Sequence, residues 1–226
     1  MPLNVMNVMP QLSLSPTGPV NEAGEAVHFR QGDLDGACGP YSLMMALVAN
    51  GTVARYEASY MGLQDGRTRL GKFHNRLVEF GGLINSGTNE YDLDWLLECF
   101  RNQLSLKKFS GTTRSLVTDL VAAVSAGYST IIGVDWPGGE GHWLLVVGYQ
   151  GQLIDGPEAR SKTNVTHLLC LDPMLEAPRV SLWNAVLEVQ TAEGTVVNAG
   201  PFPSNHWGGM EPTKCKITNG LAIGKR

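Results

Sequence analysis

Apolar residues along this chain change their period a little past the midpoint. Up to about residue 127 they recur at helical spacing, and beyond it they gather into short β-branched runs separated by Gly and Pro. Residues 36–50 read as the first helix. Pro40 suits its first turn, where a missing N–H costs nothing, and Asn50-Gly51 suits its end. Tyr41, Leu43, Met44, Met45, Leu47 and Val48 make this helix apolar nearly all round, which predicts burial at the domain centre with the methionines as core filler. Leu70, Phe73, Leu77 and Phe80 predict a second helix, stopped by Gly81-Gly82. Leu93, Leu96, Leu97 and Phe100 predict a third, with Asp92 and Asp94 at the positive end of its dipole. A fourth runs from Thr113, its expected N-cap, through Leu116, Leu120, Val121 and Val124 to Gly127. Strands are expected over 128–134, 142–149 and 166–171, with fainter patterns over 179–182 and 185–189.

Helices first and strands second imply an α+β domain, an antiparallel sheet packed against helices. Residues 1–26, rich in Pro, Asn, Ser and Gly, read as a loosely ordered lead-in with at most one short strand. Residues 27–199 form the expected domain, and 200–226 an irregular tail packed on it. The 226 residues, 43% of them hydrophobic, suffice for one substantial core.

The formal net charge of −4 and the lack of a Lys/Arg cluster argue against nucleic acid as a partner. No apolar run approaches the roughly 20 residues that span a bilayer. No basic segment followed by a continuous apolar stretch opens the chain, so no ordinary secretory signal peptide is expected. Cytoplasmic synthesis fits, with delivery by a dedicated secretion machine left open. The cysteines, Cys38, Cys99, Cys170 and Cys215, are widely spaced with no CxxC pair. Neither a metal site nor a compact disulfide framework is expected, and no cofactor is implied. Cys99 and Cys170 sit in apolar patterns and read as buried packing thiols.

Cys38 is different. It lies in Gln31-Gly-Asp-Leu-Asp-Gly-Ala-Cys38-Gly-Pro, directly at a helix start, where the dipole favours a thiolate. Gly36 and Gly39 leave the backbone bare around the sulfur, so a carbonyl can approach and the Cys38 N–H can meet an oxyanion. Gln31 is the candidate second oxyanion donor. His142 follows a Gly-Gly-Glu-Gly loop and opens a strand, a placement suited to a general base. His74, on a helix, reads as solvated, and His28 and His167 have no supporting pattern. His206, in Asn205-His-Trp-Gly-Gly, is the competing base. Asp172, ending Leu-Cys-Leu-Asp-Pro, is the candidate that orients His142, with Asp155 and Asn205 as alternatives.

Gln31 with 33–40, Gly141-His142-Trp143 with Gly148-Tyr149, and Leu171-Asp172-Pro173 resemble the motifs of papain-like cysteine peptidases. The likeness is greatest to the branch that processes bacteriocins after double-glycine leaders. It spans residues 28–175, though only the three motifs are specific. The Gln31-to-Cys38 interval is one residue longer than usual there, and 150–164 reads as a polar hairpin insertion. The resemblance implies a papain-like fold, with the nucleophile helix of an N-terminal helical half packed on a C-terminal antiparallel sheet. It gives Cys38 the role of nucleophile, His142 of base, Asp172 of orienter and Gln31 of oxyanion donor. The expected activity is hydrolysis of an amide, peptide or isopeptide bond in a protein, peptide or peptidoglycan substrate, as in a bacterial effector or toxin. A glutamine deamidase, an acyltransferase and an inactive binding module are the alternatives, and nothing in the sequence supports an inhibitor or immunity partner. Trp136 and Trp143 are candidates to line the cleft, and Asp33 and Asp35 to attract a basic group.

Overall fold

The computed structural model describes residues 3–32, 36–59, 65–79, 87–154 and 162–226. Along the chain lie β1 (Leu3–Val8), β2 (Ser13–Ser15), β3 (Gly18–Val20), α1 (Cys38–Ala49), α2 (Arg55–Ser59), α3 (Arg69–Glu79) and α4 (Glu90–Leu97). A single 3-10 turn, Glu98–Phe100, follows α4. Then come β4 (Leu104–Ser110), α5 (Thr113–Ser125), β5 (Ser129–Asp135), β6 (Gly141–Ile154), β7 (Lys162–Leu171), β8 (Ala185–Glu188), β9 (Ser204–Trp207) and β10 (Thr213–Lys225).

The expectation of an α+β papain-like fold is not met. Strands β6, β5, β10, β9, β8 and β7 pair antiparallel in that order, and β7 returns to β6, so six strands close into a barrel. Two more strands extend it, β1 on β6 and β4 on β10. Closure removes the free edges that an open sheet would present. The two longest strands make it possible, because each changes partner along its length. β6 pairs with β5 over Gly141–Val146 and with β1 over Gly148–Leu153. β10 meets β9 near Thr213, β5 from Lys216 to Ile223, and β4 from Asn219 to Lys225. Register shifts mark the bends, two in the β6–β7 pairing and one between Ile217 and Asn219 of β10.

The tail expected to be irregular therefore supplies β9 and β10, and the lead-in expected to be loose supplies β1 and the β2–β3 hairpin. No strand forms over 179–182, where Val180 is exposed. The presumed insertion over 150–164 extends β6 and β7, and its tip lies outside the described residues.

The helices match their patterns more closely. Every residue of α1 but Tyr41 is buried, and the helix packs between β5 and β6 on one side and α4 on the other. Asn89 caps α4 by accepting from Tyr91 and Asp92 N–H, while Asp92 accepts from Asn89 N–H. Thr112, one residue before the expected cap, accepts from Ser115 N–H at the start of α5. Gly81-Gly82, the expected stop of α3, lies outside the described residues.

Truncation before Gly200 removes two of the six barrel strands, along with the fully buried Ile217, Leu221 and Ile223. Each such side chain is worth roughly 1.5–3 kcal/mol of burial, so the shortened chain is expected to lose cooperative unfolding in urea. A sharp transition at an unchanged midpoint would return this segment to the role of a dispensable tail.

Candidate active site

Cys38 is the first residue of α1, where the helix leaves its leading N–H groups without intrahelical partners. One hydrogen bond fixes this helix end against the barrel, and a second ties the barrel to the segment before α4. Ser42 Oγ donates to the carbonyl of Trp143 at 2.9 Å, and the Trp143 indole N–H donates to the carbonyl of Thr88 at 2.8 Å. A Cβ at Gly39 would collide with Thr88 Oγ1, so only glycine lets the residue after the thiol pass beneath the start of α4.

His142 is the second residue of β6 and pairs with Val134 of β5. Its Nε2 donates to Asp172 Oδ1 at 2.8 Å, with both side chains buried. Its ring also shares a hydrogen bond with the Cys38 sulfur, for which Nδ1 is the nitrogen left. Burial opposes protonation of the ring, but the hydrogen bonds to Asp172 and then to Cys38 outweigh it and raise the pKa from 6.5 to about 9. Trp136 stacks on the imidazole, with ring centroids 6.2 Å apart and an interplanar angle of 27°.

Asp172 directly follows β7, inside a dense polar shell. Its Oδ1 also accepts the Met174 N–H at 2.8 Å. The side-chain oxygen of Asn184 accepts the Asp172 N–H at 2.7 Å, and Asn184 Nδ2 donates to the Asp172 carbonyl at 2.9 Å. His28 Nε2 donates to the same carbonyl at 3.1 Å. On the other side His206 Nε2 stands 3.0 Å from Asp172 Oδ2, in ion-pair contact but outside linear hydrogen-bond geometry. Burial works against the charged carboxylate, yet contact with His142 and His206 prevails and holds Asp172 well below the usual carboxylate range. The carboxyl group is an anion shared by two imidazoles, and Trp136 meets the second ring edge-on at 5.2 Å.

The structure thus brings Cys38, His142 and Asp172 together and adds His206, which the sequence offered only as a rival base. The signal was present in Asn205-His206-Trp207, but a strand there was not expected. Asn205 faces the other way on β9 and donates to Glu188 Oε2, so it does not orient His142. Gln31 is anchored through its N–H to the Pro173 carbonyl at 2.7 Å, beside the Asp172 turn. It is not among the described residues that line the cleft at the thiol. Asp33, Asp35 and Asp155 lie outside the described residues. His74, expected in solvent, is buried beside Phe73. His28, which lacked a sequence signal, belongs to the Asp172 shell.

A cleft of about 300 Å³ opens beside Cys38 and His142, walled by Thr88, Glu90, Asp135 and Asn219. Trp143 lines it too, whereas Trp136 covers the histidines. Burial pushes the other thiols up, Cys215 to about 12, Cys170 well above its ordinary value and half-buried Cys99 less far. Among the described residues no helix is long and apolar enough to cross a membrane, and no group of three or more His, Cys, Asp and Glu side chains is placed to hold a metal ion. Compared with known proteins, the chain matches no family model and no curated sequence.

The raised pKa of His142 makes the pair with Asp172 a stabilising interaction that is complete below pH 6.5 and is lost as pH rises through 9. Thermal unfolding of wild type and His142→Gln should differ most near pH 6 and converge above pH 9. A gap that widens toward alkaline pH would show that His142 is neutral in the folded protein.

Proposed function

We propose that this chain is a cysteine hydrolase that cleaves an amide, peptide or isopeptide bond through a thioester intermediate. One observation carries the reading: a thiol at a helix start and an imidazole hydrogen-bonded to a buried carboxylate stand together beside an open cleft. The likeness of the three motifs to cysteine peptidases supports the same chemistry, though not their fold.

Cys38 Sγ attacks the substrate carbonyl as His142 holds the thiol proton. The C=O electrons move onto oxygen, and the oxyanion rests on the Cys38 backbone N–H. Collapse breaks the C–N bond while His142 passes its proton to the departing amine. Water then attacks the thioester with His142 as base, releasing a carboxylate and restoring the thiol. Asp172 fixes the tautomer of His142 and stabilises its charged form, and His206 holds the far oxygen of Asp172. Burial raises the pKa of the other described thiols, and only Cys38 among them lines the cleft beside His142, so Cys38 is the nucleophile.

Mass spectrometry of whole-cell lysate and of peptidoglycan treated with wild type or Cys38→Ala tests the reading. New chain ends are expected with wild type only, and Cys38→Ala should lower their rate roughly a thousandfold or more. Deamidated side chains or transferred acyl groups would redirect the chemistry, and identical profiles would leave a binding module. On the substrate so identified, kcat/KM should fall along an alkaline limb near pH 9, where His142 loses its proton. A flat profile to pH 10.5 would remove His142 as the acid.

A further inference from the structure

We infer that Asn219, together with Thr88, binds the peptide unit next to the scissile bond, so that the substrate is a peptide main chain laid across the cleft. This inference rests on the hydrolase reading and specifies its substrate.

The argument begins in the barrel. β10 shifts register against β5 between Ile217 and Asn219, a bulge that turns 218–219 out of the regular alternation. The residue opposite is Gly133, and a Cβ there would stand within 2.5 Å of Asn219 Oδ1. Glycine at that position opens the space the Asn219 side chain occupies. Thr218 Oγ1 donates to the Gly133 carbonyl at 3.2 Å and steadies the bulge. Gly133 in turn pairs with Trp143, the residue after His142. The bulge therefore carries a carboxamide into the same cleft that Cys38 and His142 line.

No described residue pairs with the oxygen of that carboxamide. Asn219 Oδ1 is buried without a hydrogen-bond partner among the described residues, and so is Thr88 Oγ1 on the α4 side. An unpaired buried polar atom costs roughly 1–3 kcal/mol, so two of them in one cleft are best accounted for by a ligand that pairs them. The complement of a carboxamide is another amide, which offers one N–H and one C=O. A 180° turn of the Asn219 amide exchanges its donor and acceptor, so the group serves either direction of the substrate chain. A peptide main chain brings such a unit on each side of the reacting carbonyl, whereas a lone glutamine side chain brings only its own carboxamide. No Lys or Arg lines the cleft among the described residues, and the charge of His142 is already paired with Asp172, which would suit a free carboxylate poorly.

Two chloromethyl ketones with one warhead separate these cases: acetyl-Ala-Ala-Ala-chloromethyl ketone and chloroacetone. Cys38 alkylation is followed by intact-protein mass spectrometry. Wild type should favour the peptidyl reagent by on the order of tenfold or more, consistent with a few hydrogen bonds near 1 kcal/mol each. Asn219→Ala and Thr88→Val should each lower the ratio of the two rates several-fold. Asn219→Asp keeps the shape but loses the donor, and it replaces Asn219→Ala if the latter does not unfold cooperatively. An equal rate for both reagents in wild type, or a ratio untouched by either substitution, overturns the inference. Failure of the hydrolase reading looks different: chloroacetone would then label Cys38 no faster than it labels Cys99, and His142→Ala would not slow it.

Discussion

A buried carboxylate governs this molecule. Asp172 is almost wholly withdrawn from water, and an isolated anion there would cost several kcal/mol. The fold meets that cost by converging on it. His142 from β6, His206 from β9 and the Met174 N–H reach its oxygens, while His28 from the segment before α1 and Asn184 from the loop before β8 hold its backbone. Each contact fixes a different element in space. The groups that make the carboxylate tolerable are therefore the groups that hold the imidazole at the thiol, so stability and chemistry draw on one set of interactions.

The barrel supplies the rigidity this arrangement needs. A flat sheet would place the ends of β5, β6, β7 and β9 in a row. Closure wraps them round so that residues from non-adjacent strands meet across one rim. The bulge in β10 and the cap of α4 then shape the ground in front of the sulfur. Trp136 covers the two imidazoles from outside, keeping their contact with Asp172 in a less polar setting where it is stronger.

How much of this could be read from the sequence depends on the element. Cys38, His142 and Asp172 were legible because each stands at the start or end of a pattern that announces itself: an all-apolar helix behind Gly-Pro, an apolar run behind a glycine loop, and an apolar run stopped by Asp-Pro. The longer helices were legible by period, with errors of one or two residues at their ends, while the five-residue α2 went unread. The barrel was not. β10 alternates lysines with apolar residues and carries Asn219-Gly220 in its middle, which reads as a turn and proves to be a bulged strand. β4 hides behind two lysines between helices, and β9 is four residues long in a Pro- and Gly-rich setting. Pairing across such distances leaves no local mark, so closure and Asn219 escaped a local reading, and His206 was read only as a rival base.

The order in which the ribosome delivers these parts has its own effect. The sulfur emerges early, in α1, whereas β9 and β10 come last and bring the second imidazole and the wall facing the thiol. A growing chain therefore carries that thiol through most of translation without a closed barrel to support it. The second imidazole and the wall facing the thiol are thus in place only once the last strands have paired, so the cleft takes shape together with the barrel and not with α1.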